Sequence, residues 1–416
     1  MAVANSALAH PGSVLKTSNS AITQPGMLNV APTQDIASYP VRFSATGSEY
    51  LRIWIVNLLL IVVTFGIYLP WAKVRKLKYF YNNTRIDEEP LDFHGEPKKM
   101  LRGTMIVGVF FLVYSKAAGF APIAGLIAVL ALLVLWPLLF RASMRFRLAN
   151  TSWRGLRFRF VDSKLLEPYM CLVPPLALLL LPSTMLSFAA SEPASKSAAL
   201  PQGMGATMGL VFLLFLGLVP YFFWRLKRYQ HNHYAWGPLK SEYRSGVGTM
   251  YGLFARTIAV VALLVLVFGG FAFALLPGVW GSGTKGGVGA MLSLLLALVP
   301  LLILFFISIN IAPRAYFTAR MQNLVWSRTG NRYFRFKSEL MVWPYMRLQF
   351  KNYLLILITL GFYWPFAVVA TKKMQLEAIS LKSRIGLDAL TDAARKRESD
   401  AAGDMAADLF GLDVGM

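Results

Sequence analysis

Two histidines, His231 and His233, stand two residues apart in the stretch QHNHY, and alternate imidazoles could begin a metal site. A zinc or other transition-metal site needs further ligands, and no Cys, Asp or Glu stands nearby at ligand spacing. The simpler reading is a headgroup-level cluster of His and aromatic residues just beyond an apolar segment. Asp87, Glu88, Glu89 and Asp92 form an acidic knot in an otherwise basic stretch; it could hold a cation, but solvated pairing with neighbouring Lys and Arg is the plainer expectation. The sequence has no phosphate-binding Gly loop, no His-Glu-x-x-His and no nucleophile elbow. Enzymatic chemistry is therefore not expected, and neither a cofactor nor a metal is called for.

The most specific polar residues lie in a self-similar pair of segments. Residues 57–78 read NLLLIVVTFGIYLPWAKVRKLK and residues 352–373 read NYLLILITLGFYWPFAVVATKK. At one constant offset Asn57, Thr64 and Tyr68 match Asn352, Thr359 and Tyr363. Gly66 and Pro70 match Gly361 and Pro365 in the same register. Such a match points to duplication. Gly permits unusual backbone angles and Pro removes a hydrogen bond, so each Thr-x-Gly-x-Tyr-x-Pro stretch breaks a helix. Paired broken helices are a pointer to a transporter's binding site, which makes the two Asn/Thr/Tyr sets the candidate polar site. Against this, Asn and Thr could simply hydrogen-bond between close-packed helices. The spans also lack the buried charges that ion-coupled carriers use.

The elements that carry these residues follow from composition. The 416 residues are 56% hydrophobic, and 42 Lys and Arg face 20 Asp and Glu. A net charge of +22 in a soluble chain would suggest nucleic acid. Here long apolar runs point instead to lipid, with basic residues collecting at anionic headgroups. The single Cys171 excludes an intramolecular disulfide. Eight apolar segments are candidate spans: Leu51–Ala72, Leu101–Gly119, Ala121–Phe140, Pro168–Ala190, Met204–Trp224, Phe254–Leu276, Val288–Ala312 and Asn352–Ala370. Short, nearly neutral links make hairpins of the second and third, the fourth and fifth, and the sixth and seventh.

Most Lys and Arg fall in the intervening stretches 73–102, 141–164, 225–256, 314–351 and 372–397, which the positive-inside rule puts on the cytoplasmic side. The first and last segments then pose a conflict, because each has a basic stretch that should stay inside. Either they are re-entrant or interfacial, leaving six crossings, or all eight cross. Both resolutions stay open. After Pro70 the chain becomes basic and aromatic, and Lys73, Arg75, Lys76 and Lys78 suit a helix along the headgroups. Arg225, Lys227 and Arg228 follow Pro220 in the same manner. Leu156–Phe160 and Arg332–Phe336 alternate like strands beside the turn signals Gly155 and Gly330–Asn331, which suggests small local hairpins.

The expected architecture is all-α, a polytopic transmembrane helical bundle of six to eight spans with an internal repeat and basic amphipathic interfacial helices. Residues 1–40, rich in Ala, Ser, Thr, Pro and Gly and without a secretory signal, read as a disordered tail. Residues 41–381 form the membrane domain, with a first repeat at 43–100 and a returning one at 336–381; residues 382–416 form a charged tail.

The stretch YLRIWIVNLLLIVVTFGIYLPWAKVRKLKYFYNNT, followed by Leu91-Asp92-Phe93-His94-Gly95, resembles the opening of the YjgN-like family of bacterial inner-membrane proteins. The resemblance runs from about Tyr39 to about Leu381 and includes the returning ITLGFYWPFA. It implies a multi-pass protein of the bacterial inner (plasma) membrane and supplies no catalytic residues. The chain departs from the pattern in the returning copy, where Phe366 stands in place of Trp71 and fewer basic residues follow. The expected function is a transporter or channel for a neutral solute or a lipid; the alternative is a non-transporting scaffold that organises lipid or partner proteins. Membrane lipids are the expected partners, nucleic acid is not, and assembly into homo-oligomers stays open.

Overall fold

The computed structural model describes residues 36–120, 122–162, 164–191, 203–275 and 288–409. Most of the expected amino-terminal tail and two of the three neutral hairpin links lie outside these residues. Strand β1 (Ala37–Phe43) leads into α1 (Gly47–Val63) and α2 (Leu69–Asn82), then β2 (Thr84–Ile86) and β3 (Glu89–Phe93). Helices α3 (Pro97–Phe120) and α4 (Pro122–Ala149) lead to β4 (Thr151–Trp153) and β5 (Leu156–Phe160). Helices α5 (Leu166–Ser191) and α6 (Met204–Asn232) precede β6 (Tyr234–Trp236), β7 (Leu239–Lys240) and β8 (Glu242–Tyr243). Then come α7 (Val247–Leu275), α8 (Val288–Ser327), β9 (Thr329–Gly330) and β10 (Phe334–Ser338). The chain finishes with α9 (Val342–Ile358), α10 (Trp364–Glu377), β11 (Ile379–Ser383) and α11 (Leu387–Leu409).

The all-α expectation is therefore wrong. The basic stretches between helices pair into one eleven-stranded antiparallel sheet, in the order β7-β6-β5-β4-β3-β2-β1-β11-β10-β9-β8. Its two outer strands, β7 and β8, are consecutive in the chain and parted only by Ser241. The sheet thus comes round on itself as a nearly closed barrel. At the seam the Ser241 N–H donates to Tyr234 O at 2.8 Å and its hydroxyl to His231 O at 2.5 Å. The local hairpins expected around Leu156–Phe160 and Arg332–Phe336 exist, but as parts of this ring. Strands of two to seven residues carry too short an alternation to be read separately. Residues 37–40 belong to β1 rather than to a disordered tail, and much of the expected carboxy-terminal tail is β11 and α11.

Period-two alternation builds the barrel wall. Tyr39 and Val41, Leu156 and Phe158, Phe334 and Phe336, and Ile379 and Leu381 join one apolar core. The alternate residues Arg42, Arg85, Arg157, Arg159 and Arg335 are exposed. Helix α11 contributes Leu387, Leu390 and Ala394, spaced along one helical face, to that core. Leu390 and Ala394 are both 0% exposed, so α11 closes one mouth of the barrel.

Fewer helices qualify as spans than the six to eight expected. Among the described residues four helical stretches are long and apolar enough to cross a membrane: Ile123–Ala149, Met204–Asn232, Val247–Ala274 and Leu298–Ser327. Ring contacts Phe254–Phe317 and Phe268–Phe305 show α7 and α8 running antiparallel. Helix α8 has 40 residues, about 60 Å of helix at 1.5 Å per residue, twice the thickness of a bilayer's hydrocarbon core. Its far end reaches the barrel, where Trp326 packs edge-on against Phe336.

Neither the first nor the last apolar segment is one straight helix. Helices α1 and α2 fold back on one another, so Tyr79 Oη bonds Thr46 O at 3.0 Å and Tyr50 stacks on Tyr79. Helices α9 and α10 do likewise: Gln375 Nε2 donates to Tyr345 Oη at 2.9 Å and Gln349 Nε2 to Thr371 Oγ1 at 3.3 Å. The two turns are alike. Thr64 Oγ1 donates to Leu60 O and accepts from the Tyr68 N–H; Thr359 does the same with Leu355 and Tyr363. Gly66 (φ 90°) and Gly361 (φ 96°) follow Phe65 (φ 48°) and Leu360 (φ 49°), all in the left-handed region. Gly adopts that region freely, and each Gly N–H closes the helix end on the carbonyl five residues back, at 2.8 Å. The turn tips are apolar and bare, with Phe65 97% and Leu360 90% exposed.

A buried carboxylate ties bundle to barrel. Asp162, just after β5, accepts from Arg141 Nε at 2.6 Å, Arg145 Nη2 at 2.7 Å and Tyr229 Oη at 2.9 Å. Burial alone would raise its pKa, but the hydrogen bonds from Arg141, Tyr229 and Arg145 outweigh burial and hold it below the usual carboxylate value. A lowered folded-state pKa stabilises the fold above the unfolded value of about 4 and loses that contribution as pH falls through the folded value. Asp162→Asn is expected to cost about 3 kcal/mol at neutral pH, with the gap to the parent closing below about pH 4. Thermal unfolding of both proteins in detergent across pH reads this; a gap constant with pH would contradict it.

Candidate functional site

The helices and the barrel meet around open space. One cavity of 790 Å³ lies where the inner ends of α4, α6 and α8 face the barrel mouth opposite α11. Its walls include Phe158, Trp236, Phe334 and Phe336 from the strands and Phe223, Phe317 and Trp326 from the helices. Arg147 of α4, Lys227 of α6 and Lys372 of α10 also line it, whereas no Asp or Glu does. A second cavity of 640 Å³ lies between α8, α9 and α10, lined by Phe306, Asn310, Asn352, Ile356 and Trp364 among others. The two share Thr318 and Lys372 in their walls. Volumes of this size suit small ligands.

The duplicated polar residues divide between two tasks. Thr64, Tyr68, Thr359 and Tyr363 form the turns through the bonds given above, and Pro70 and Pro365 sit in the first turn of the returning helices, where a missing N–H costs nothing. Asn352 lines the 640 Å³ cavity: its Nδ2 donates to Thr371 Oγ1 at 3.2 Å, and its Oδ1 is buried without a partner among the described residues. Asn57 is likewise buried with a bare Oδ1, but it does not line that cavity. The hairpins touch through α1 and α10, so closely that a Cβ on Gly47 would meet Phe366 Cδ1 at 2.3 Å.

Of the basic residues expected at headgroups, Lys73, Arg75, Lys76 and Lys78 lie exposed on α2, with Lys76 Nζ 6.0 Å from the Tyr50 and Phe80 ring centres. Arg225 and Arg228 lie against Tyr221 and Trp224. Lys227 turns instead into the barrel cavity, where its ammonium donates to Gln230 Oε1 at 3.2 Å. Lys372 keeps an exposed side chain at the rim of the cavity, where partial loss of solvent and the nearby Lys76 lower its pKa, and its ammonium donates to Gln375 Oε1 at 3.3 Å. The alternation of Lys227 and Arg228 about a helix was the available signal that they face different ways.

The histidines are structural rather than placed among headgroups. His231 is buried, its Nδ1 at 3.0 Å from Thr329 Oγ1 and its ring against Tyr234, Tyr243 and Trp326. His233 Nε2 lies 3.0 Å from Glu167 Oε2, a partner 66 positions away that local spacing does not reveal. Among the described residues no three His, Cys, Asp or Glu gather as a metal site would need. The acidic knot pairs with the barrel: Asp87 with Arg154 at 2.6 Å, and Glu88 with Arg42. Arg154, in the β4–β5 turn, also pairs with Asp388 of α11, and Arg395 Nη2 donates to its carbonyl at 2.6 Å.

Apolar helices long enough to cross a bilayer, carrying a nearly closed barrel and a cation-lined cavity at one end, define a helical membrane protein with a ligand-sized vestibule. The chain belongs to the family described as "Bacterial protein of unknown function (DUF898)", whose model matches residues 38–409. The match takes in α11, beyond the limit near Leu381 that the sequence resemblance suggested. The relatives include "Inner membrane protein YjgN" of Escherichia coli O157:H7, 30% identical over 135 residues, and of Escherichia coli K12, 30% identical over 140. The protein of the same name from Salmonella typhimurium LT2 is 28% identical over 141 residues. Each match covers 32% of this chain and 34% of the relative, so the chain spans about a third of the length of the curated relatives it matches. No solved structure matches.

Two barrel arginines strap the plug helix, Arg154 through Asp388 and Arg159 through Glu398 at 2.8 Å. Arg154→Ala removes its links to Asp87 and Asp388, and α11 should open more often. Trypsin should then cut at Arg395–Arg397 about ten-fold faster, the equivalent of one charge-assisted bond. Unchanged cleavage would mean that the apolar face of α11, with the Arg159–Glu398 pair and the Arg395 bond to the carbonyl of residue 154, seats it without the Arg154 side chain.

Proposed function

We propose that the protein is an integral inner-membrane protein that binds lipid of its own bilayer and moves it, without enzymatic chemistry. The observation that carries this reading is the 640 Å³ cavity beside the α9–α10 hairpin, with the unpaired Oδ1 of Asn352 in its wall. Both hairpins fold back within about 25 Å, the length of a seventeen-residue helix, and offer bare apolar tips. Irregular backbone of this kind is tolerated at membrane depth only where protein or a cavity satisfies it. The hairpins share register, turn hydrogen bonds and the Asn, so we treat 43–100 and 336–381 as copies of one unit, of which the second has kept an open cavity. Re-entrant hairpins remove the argument from oppositely crossing repeats; the reading rests on the cavity instead.

A lipid-organising scaffold is the second reading, favoured by the exposed Lys and Arg on α2 and on the barrel's outer face. Proteoliposomes carrying a fluorescent phospholipid and an impermeant quencher separate the two. Movement of the label between leaflets should exceed the protein-free rate and fall back to it in Asn352→Leu, with Asn57→Leu much less affected. Lipid that binds tightly yet moves no faster than in empty vesicles would favour the scaffold and end the transport reading.

A further inference from the structure

The barrel cavity carries an electrostatic imbalance that no carboxylate among the described residues relieves. Arg147, Lys227 and Lys372 come from three different helices and converge on one space lined by no carboxylate. Among the described residues none of the three has an Asp or Glu within ion-pair distance. Their side-chain partners are neutral amides, Gln230 for Lys227 and Gln375 for Lys372. Elsewhere the same protein pairs its enclosed cations carefully, Arg141 with Asp162 and Arg154 with Asp87 and Asp388. Lys227 is half-buried, and Arg147 and Lys372 keep exposed side chains. The three thus stand at the wall and rim of an open vestibule, where an anionic ligand can reach them and supply the charge that the lining lacks. The rest of the wall is mostly aromatic and aliphatic, with His231, Ser241, Thr318, Gln322 and Thr329 as its polar members, which suits a largely apolar body joined to that charge.

We propose that this vestibule binds the phosphate of a phospholipid or similar amphipathic anion, held between Arg147, Lys227 and Lys372, with its apolar chains directed to the cavity between α8, α9 and α10. This rests on the lipid reading above and adds the chemical class of the ligand. Lys372 and Thr318 stand in the walls of both cavities, so the phosphate and the chains of one molecule can occupy them together. Arg147 offers a planar fork to phosphate oxygens, and the two ammonium groups act as point charges. Arg225 and Arg228, stacked on Tyr221 and Trp224, are not among the lining residues and serve as controls.

The test uses the full chain purified in detergent, with native mass spectrometry reading the affinity of three probes. These are dihexanoyl phosphatidic acid, dihexanoylglycerol with the same chains and no phosphate, and inorganic phosphate. The parent should bind the phosphatidic acid at least about ten-fold more tightly than the diacylglycerol, a difference of about 1.4 kcal/mol. The triple variant Arg147→Gln, Lys227→Gln, Lys372→Gln should bring the two within about two-fold, whereas Arg228→Gln leaves the preference intact. Lys372→Gln alone should lower the preference at least about three-fold, and Lys372→Arg should restore it, which keeps the test open should the triple variant not fold. Equal affinity for the two lipids in the parent overturns the anion site and leaves the lipid reading standing. Inorganic phosphate binding as tightly as phosphatidic acid overturns the lipid source of the charge. If none of the three binds, both the site and the lipid reading fail.

Discussion

Every strand among the described residues is too short to stand alone, and each leaves backbone groups that need a partner. A two-residue strand such as β7, β8 or β9 contributes a few hydrogen bonds and no independent stability. The groups are satisfied because the pieces are joined in a ring that returns to its starting point at Ser241, so almost no edge is left unpaired. Because β1 pairs with β2 and with β11, the beginning and end of the membrane domain are fixed to each other. Closure therefore decides where every helix starts and finishes.

That constraint sets the membrane arrangement. All the basic stretches share one barrel, so the helices linking them must leave and return at the same end. The long helices α3 to α8 do so as three hairpins. The α1–α2 and α9–α10 segments do so by reversing at Gly66 and Gly361, each with a Thr hydroxyl bridging the break. Helix α8, about twice as long as a bilayer core is thick, then carries its own end beyond the membrane to form cavity wall. The barrel is closed at one mouth by Leu387, Leu390 and Ala394 of α11, while its other mouth faces the cationic vestibule.

Much of this was legible at the level of helices. Apolar run lengths marked the helices, and the neutral links marked the hairpins. The Thr-x-Gly-x-Tyr-x-Pro pattern marked both helix breaks, and the polar Asn352 does face a cavity. What could not be read was long-range pairing. Arg42 and Arg85 are neighbours in adjacent strands, yet the stretch between them is dominated by two helices. The basic residues looked like headgroup contacts because alternation of Arg with Phe over five positions carries little signal beside a strong hydropathy contrast. Residues 382–416 read as a charged tail because the apolar face made by Leu387, Leu390 and Ala394 is short among many charges, and its burial depends on a barrel assembled elsewhere. The cavity cations were visible as residue types, but convergence of Arg147, Lys227 and Lys372 from three helices is a tertiary fact.

The pairing across the first hairpin tests the central claim most directly. Arg42 and Arg85 face each other in the β1–β2 register and flank α1 and α2. With Cys171 replaced by Ser, Arg42→Cys and Arg85→Cys can be joined by a short thiol-bridging reagent in native membranes. Rapid cross-linking within one chain, seen as a mobility shift independent of protein concentration, is the result expected of a barrel closed on one side of the membrane. Absence of the cross-link, with the two cysteines reactive from opposite faces of the bilayer, would mean that the first apolar segment crosses the membrane and that the ring is not formed.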